Sequence, residues 1–310
     1  MKNLNLKLTL GLIVLGAWAM INIFAAKNEN KVVITRTVSI DKNFSGLDAH
    51  AGMEITYTQN NSPSKAIIKG PKEIVEGITF DVNNNGVLTF NYPNLKKING
   101  KVTITLNGKV LKNYQVSSSG IINVTTPVKV DQVLNFAASS SGKIILQKNV
   151  ENEKNNINVS VSSSGEVLFK SVVKGNVINV ASSSSSLVTL LSASSAVFNY
   201  SGSSVGILEL NSLTADQFNI SVSSGGGVTV KDARIKVFNG MASSGGEASV
   251  LNLIADKVNA STSSGGEIKL SGSCEEANMT ASSGGVVNGK KLTIKNLKSK
   301  KTSSGGSVKL

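Results

Sequence analysis

The strongest pattern in this chain is an alternation of apolar and polar positions around a recurring asparagine. Apolar residues stand directly before and after most of these asparagines, as in Phe198-Asn199-Tyr200. A period of two places neighbouring side chains on opposite faces of a strand. The pattern therefore predicts a series of short strands that bury the apolar residues and turn the asparagine outward.

A Ser-Ser corner follows each asparagine at a fixed distance. Seven residues after the asparagine, and two after the serine pair, comes a position that we call the anchor; it is glycine in nine units and serine in one. The anchors are Gly120, Gly142, Gly165, Ser186, Gly206, Gly226, Gly246, Gly266, Gly285 and Gly306. Successive anchors are 19 to 23 residues apart, so each unit has a rigid half before the anchor and an adjustable half after it. Apolar residues two and four positions past the anchor predict a second strand.

Units of about 20 residues that contain strands and sharp corners cannot bury their own apolar side chains, but they can stack into a continuous core. The sequence therefore predicts an all-β fold, a single-stranded parallel β-helix of about ten coils over residues 113–310. Stacked at ~4.8 Å per coil, these units would form a rod about 48 Å long. Residues 27–112 have less regular strand patterns, and we assign them to the same domain.

The stacking also predicts ladders of like residues along the rod. The asparagine amides and the serine hydroxyls can hydrogen-bond from coil to coil, and the corner glycines can adopt positive φ. If the alternation continues into the corner, the second serine of each pair points inward, and Ser224→Val would cost about 1–3 kcal/mol. The predicted structural ladder includes Asn199, Asn219, Asn239, Asn259, Ser204, Ser224, Ser244, Ser264, Gly226, Gly246 and Gly266.

The stretch Phe44-Ser45-Gly46-Leu47-Asp48-Ala49, the segment 53–59 and the Ser-Ser-Gly-Gly corners together resemble the GIN-domain family, described as heads of autotransporter adhesins. The likeness covers about residues 36–310. It implies an exported, β-helical bacterial protein of the kind frequent in Bacteroidetes, with an adhesin-like role and no catalytic residues to carry over. The early Ser-Ser-Ser-Gly corners and the anchor Ser186 depart from the pattern.

The N-terminus has the composition of an export signal. Two lysines precede an apolar stretch at 8–21, and small residues follow it. We assign residues 1–26 to a signal peptide, with an uncleaved N-terminal anchor as the alternative, and expect no other membrane segment. Either form places the rest of the chain in the periplasm, on the outer-membrane surface or outside the cell.

Charge and composition limit the classes of molecule that the chain is expected to bind. The formal net charge is +13, and lysines are concentrated near the C-terminus. They suggest either a contact patch for acidic glycans, envelope polysaccharide or another surface protein, or charges that keep the exposed end of a sheet soluble and prevent edge-to-edge pairing. Nucleic acid is not expected, because no aromatic residue is interleaved with them. The candidate basic patch comprises Lys290, Lys291, Lys295, Lys298, Lys300 and Lys301.

Candidate catalytic groups are sparse. One histidine and one cysteine argue against multi-histidine metal sites and disulfide frameworks, and we expect no metal or cofactor. We interpret His50 as a turn or surface residue and Cys274 as a small buried filler. Six aromatic residues occupy inward positions and are assigned to the core: Tyr114, Phe136, Phe198, Tyr200, Phe218 and Phe238.

The sequence thus favours a non-enzymatic, exported adhesin-like module that binds or supports structures of the cell envelope. The alternative is a polysaccharide lyase or hydrolase that uses acids on the adjustable half of the coils. Such an enzyme needs acids that converge on one groove. Asp216, Asp256 and Glu276 each follow their anchor by ten residues and are the candidates for that cluster. The simpler interpretation is that they are solvated charges on the adjustable half.

Overall fold

The repeating units stack into a parallel β-solenoid, which confirms the predicted fold class. The computed structural model describes residues 32–93 and 100–310. The predicted signal peptide or anchor at residues 1–26 lies outside the described residues.

The described part of the N-terminal portion, residues 32–93 and 100–112, contains seven strands and one short helix. They are β1 (Val33–Ser39), β2 (Gly46–Ala49), β3 (Glu54–Gln59), β4 (Lys65–Pro71), α1 (Lys72–Gly77), β5 (Thr79–Val82), β6 (Val87–Asn91) and β7 (Thr103–Gly108). No helix in the described ranges is long and apolar enough to cross a membrane.

The remaining strands form the regular coils. The early coils are divided into short strands: β8 (Asn113–Val116), β9 (Ile121–Val124), β10 (Val128–Lys129), β11 (Leu134–Ala138) and β12 (Lys143–Leu146). The strands that follow are β13 (Val150–Val161), β14 (Glu166–Ser182), β15 (Leu187–Gly202), β16 (Ile207–Val222), β17 (Gly227–Ala242), β18 (Glu247–Thr262), β19 (Glu267–Ala281), β20 (Val286–Thr302) and β21 (Ser307–Lys309). From β14 to β20 each strand runs almost continuously from one corner to the next.

Successive coils pair in parallel with like residues in register. Asn199 lies opposite Asn179 on one side and Asn219 on the other. The inward columns on both halves of the coil join one continuous hydrophobic core. All six aromatic residues assigned to the core are at most 2% exposed, which confirms that assignment. Phe218 packs against Phe198 and Phe238 with ring centroids 5.6 and 5.7 Å apart.

Coil stacking extends into the N-terminal portion. Strands β2 and β3 pair in parallel with β8 and β9, so residues 46–59 form a coil of their own. Its corner has the same geometry as the serine corners, with Ala51 at φ 52° and Gly52 at φ 74°, but Met53 takes the place of the anchor. Strand β4 then pairs antiparallel with β1 and β7, which departs from the parallel stacking of the coils.

Candidate functional site

The second serine of each corner points away from the core, so the predicted inward serine ladder is wrong. Ser224 and Gly225 both have positive φ, 49° and 73°, and the Gly226 amide donates to the Ser223 carbonyl at 2.8 Å. Two left-handed central residues define a type I′ turn. The chain therefore reverses at the first serine and the strand alternation ends there. The exposed second serines include Ser204, Ser224, Ser244 and Ser264.

The anchor glycines are needed for close packing rather than for positive φ. Positive φ falls on the two residues before the anchor. A Cβ on Gly226 would lie 2.5 Å from the carbonyl carbon of Gly202, and a Cβ on Gly246 would lie 2.6 Å from that of Val222. At these glycine anchors the backbones of adjacent coils thus approach too closely for a side chain, whereas the anchor Ser186 fits and its hydroxyl donates to the Val161 carbonyl at 2.9 Å. The predicted role of Gly226, Gly246 and Gly266 is corrected accordingly.

The asparagine column forms a continuous hydrogen-bonded ladder on the outer face of the strands. In each coil the Nδ2 atom donates to the Oδ1 atom of the preceding coil's asparagine, at 2.8 to 3.0 Å. An amide has two donor hydrogens and two acceptor lone pairs. Each asparagine inside the ladder therefore keeps one N–H and one lone pair for another partner. The members are Asn113, Asn135, Asn158, Asn179, Asn199, Asn219, Asn239, Asn259 and Asn278.

A groove of about 810 Å³ runs along this ladder. We call it the amide groove. One wall consists of seven ladder asparagines, Asn158 to Asn278, and the other is the exposed column two residues further along each strand. That second wall comprises Ser160, Ala181, Ser201, Ser221, Met241, Ser261 and Thr280. Seven coils at ~4.8 Å spacing make the groove about 29 Å long. The sequence predicted the outward asparagines but missed the groove, although small residues recur two positions after most asparagines.

Among the residues that the structure describes, no charged side chain lines the amide groove. Its floor is formed by the inward column between the two walls, which includes Tyr200, Ile220, Gly240 and Ala260. The Tyr200 hydroxyl is hydrogen-bonded to the Ser182 hydroxyl at 2.8 Å and donates to the Gly227 carbonyl at 2.7 Å. Burial raises the pKa of Tyr200 to about 12. The groove is therefore neutral, and hydrogen bonds hold the Tyr200 side chain beneath it in place.

The acids named as a candidate catalytic cluster do not converge. Lys236 lies between Asp216 and Asp256 along the rod, and its Nζ atom is 2.8 Å from Asp216 Oδ1. That hydrogen bond and charge raise the pKa of Lys236. Glu276 pairs in register with Lys257 instead, because its coil is one residue shorter and the register shifts after residue 250. The alignment of Glu276 with Asp216 and Asp256 that such a catalytic cluster requires is therefore not found.

The candidate basic patch is exposed throughout, but two of its lysines are paired with acids. Lys295 lies 2.7 Å from Glu275, and Lys298 lies 3.1 Å from Glu276. The hydrogen bond to Glu275 raises the pKa of Lys295. Within the described structure the other four make no ion pair: Lys290, Lys291, Lys300 and Lys301.

His50 and Cys274 occupy the environments that the sequence predicted. His50 lies in the corner of the first coil, with Nδ1 3.2 Å from Asp48 Oδ2. Cys274 is 5% exposed, and burial raises the pKa of its thiol. Among residues 32–93 and 100–310, no group of three or more His, Cys, Asp or Glu side chains could hold a metal ion.

These features define a class of protein: a parallel β-solenoid with type I′ corners, an external amide ladder and a neutral groove. A family model described as "Putative auto-transporter adhesin, head GIN domain" matches residues 43–237 and 230–309. The chain belongs to this family.

Solved structures of low sequence identity share the fold. A "putative adhesin from Parabacteroides merdae" is 17% identical, with a TM-score of 0.54 over 88% of this chain and 97% of that one. A "putative lipid binding protein from Parabacteroides distasonis" is also 17% identical, with a TM-score of 0.50 over 91% and 97%. No curated protein matches the sequence.

Proposed function

We propose that this chain is an exported, non-enzymatic adhesin-like module that contacts material of the cell envelope. The observation that carries the proposal is the amide groove, which presents hydrogen-bonding groups in every coil and has no Asp, Glu, His, Lys or Arg among its described lining residues. The Tyr200 hydroxyl is turned into the core, where it is hydrogen-bonded to Ser182. General acid–base catalysis needs a titratable group within hydrogen-bond reach of its substrate. A groove lined by amides and hydroxyls is suited to binding instead.

The rigidity of the coil stack supports a binding role. The amide ladder fixes each asparagine side chain against its neighbours, and the strands beneath are paired in register. A surface that is already ordered loses little conformational entropy when it binds, so more of the contact energy appears as affinity. Many weak contacts repeated along a rod can then add up to adhesion.

Membership in an adhesin-head family and the signal-like sequence at residues 1–26 support export. Fractionation of cells that make the full chain tests this part of the proposal. We expect the protein in the periplasmic, outer-membrane or extracellular fraction. Recovery in the cytoplasm alone would refute export.

The non-enzymatic part is tested by incubating the purified chain with a panel of polysaccharides and with isolated envelope fragments, while both retention and product release are recorded. We expect retention without cleavage, and loss of retention after the chain is heat-unfolded. Release of shortened products would establish the enzyme alternative. Absence of retention on every surface would refute the adhesin-like role.

A further inference from the structure

The amide groove differs in charge from the faces beside it. The column that contains the second wall runs without a charge through nine strands, from Gln115 to Thr280, and the first charged residues along it are Asp48 at one end and Lys301 at the other. Other faces of the rod carry ion pairs between coils, such as Lys236–Asp216 and Lys143–Glu166. The neutral strip is therefore a local property of the groove.

We infer that the amide groove binds an uncharged linear polysaccharide lying along the rod axis. This inference rests on the proposed binding function and names its ligand class. A charged polysaccharide would lose its hydration in the groove without meeting an opposite charge, and this desolvation costs binding free energy. A neutral glycan offers hydroxyls that both donate and accept, and these match the free N–H and lone pair of each ladder amide and the hydroxyls of Ser201, Ser221 and Ser261.

The shape of the groove agrees with an extended chain rather than a compact ligand. Its polar groups repeat once per coil, at ~4.8 Å, over about 29 Å. The exposed Met241 side chain interrupts the row of hydroxyls between Ser221 and Ser261. A thioether is polarisable and adapts to irregular surfaces, so it provides an apolar contact for the C–H face of a sugar ring. The expected ligand spans several coils.

Placing a negative or a positive charge in the groove distinguishes a neutral ligand from an acidic one. Either charge should weaken binding of a neutral ligand, whereas a positive charge should strengthen binding of an acidic one. The variants are Ser221→Glu and Ser221→Lys in the second wall, with Thr214→Glu and Thr214→Lys as matched controls. Thr214 is exposed on a different face and is not part of the groove. Circular dichroism and thermal unfolding establish that all four variants fold. Affinity electrophoresis of the full chain measures binding to soluble β-glucan, α-mannan and acidic polygalacturonate.

We expect the chain to bind at least one uncharged polysaccharide, with an affinity that does not change with salt concentration. Both Ser221 variants should weaken this binding at least ~10-fold, because either charge is desolvated without a partner. The Thr214 variants should leave it unchanged. If neither uncharged probe binds, or if Ser221→Lys strengthens polygalacturonate binding while Ser221→Glu weakens it, the inference is wrong. Retention on envelope fragments that the Ser221 variants do not change would refute the groove assignment and leave the adhesin-like function standing.

Discussion

Two adjacent glycines in one corner allow a matched test of how the coils pack. A Cβ added to Gly246 would lie 2.6 Å from both the carbonyl carbon and oxygen of Val222 in the preceding coil. A Cβ added to Gly245, one residue earlier, would meet no heavy atom within 4 Å, but Gly245 has φ 74°. Gly246→Ala therefore probes the distance between coils, and Gly245→Ala probes backbone strain alone.

The structure gives different magnitudes for the two changes. Carbon atoms in contact prefer about 3.5–4.0 Å, so the Gly246→Ala coil would have to move away from its neighbour by about 1 Å. That movement weakens two inter-coil hydrogen bonds, from Ser243 N to Val222 O at 3.0 Å and from Glu247 N to Gly226 O at 2.9 Å. Overpacking costs about 1–3 kcal/mol, and each of the two weakened hydrogen bonds costs about 1 kcal/mol. Gly246→Ala should therefore lower the free energy of unfolding by ~3–5 kcal/mol. Gly245→Ala costs about 1 kcal/mol, the penalty of a left-handed alanine.

Urea unfolding followed by far-UV circular dichroism measures both variants. Solenoids do not always unfold in one step, so hydrogen exchange at the Glu247 amide provides a local readout of the same corner. We expect Gly246→Ala to lower the unfolding midpoint clearly more than Gly245→Ala and to speed exchange at Glu247. Equal destabilisation by the two variants, or a larger effect of Gly245→Ala, would show that close packing of the coils does not determine the anchor residue.

Three further changes test other contacts, each by urea unfolding. Val205 has φ 64°, so Val205→Gly should stabilise the chain by about 1 kcal/mol through relief of strain; a destabilised variant would contradict this. Asn219→Ala removes two ladder hydrogen bonds of 2.8 Å and should cost about 1–2 kcal/mol, whereas no loss would mean that water replaces the ladder. Tyr200→Phe leaves the Ser182 hydroxyl and the Gly227 carbonyl without this partner and should cost about 1–3 kcal/mol near neutral pH. Burial raises the folded-state pKa of Tyr200 from 10.0 to about 12. The stabilising contribution of this tyrosine is therefore intact below pH 10 and is lost as the pH rises towards 12. If the cost of Tyr200→Phe stayed constant over this pH range, the assignment of Tyr200 as a buried, hydrogen-bonded hydroxyl would be refuted.

The rigid half of each unit could be predicted in detail because its chemistry is local. Apolar residues on both sides of Asn199 and Asn219 fix which strand face is buried, and the constant distance to the anchor fixes the register between coils. Stacking follows, since a single coil has no core of its own. The asparagines then lie one coil apart with their amides in hydrogen-bond range.

The corner and the adjustable half could not be predicted in the same way. The alternation that places Asn219 outward also predicted an inward Ser224, but the backbone reverses at Ser223 and two left-handed residues end the strand. Glu276 kept its distance from the anchor in sequence, yet a one-residue shift moved it opposite Lys257. The strand patterns of residues 27–112 do not show where a coil begins and ends, because at residues 46–59 Met53 stands where the other corners have glycine or serine.

The sequence by itself determined the repeat, the inward columns and the outward asparagines, because these depend on a period of two and on residue spacing within one strand. Only the tertiary structure decided that most anchors are glycine because neighbouring backbones nearly touch there, and that a neutral groove lies beside the amide ladder. Both features depend on distances between coils, and such distances are set by how the coils pack rather than by the order of residues within any one of them.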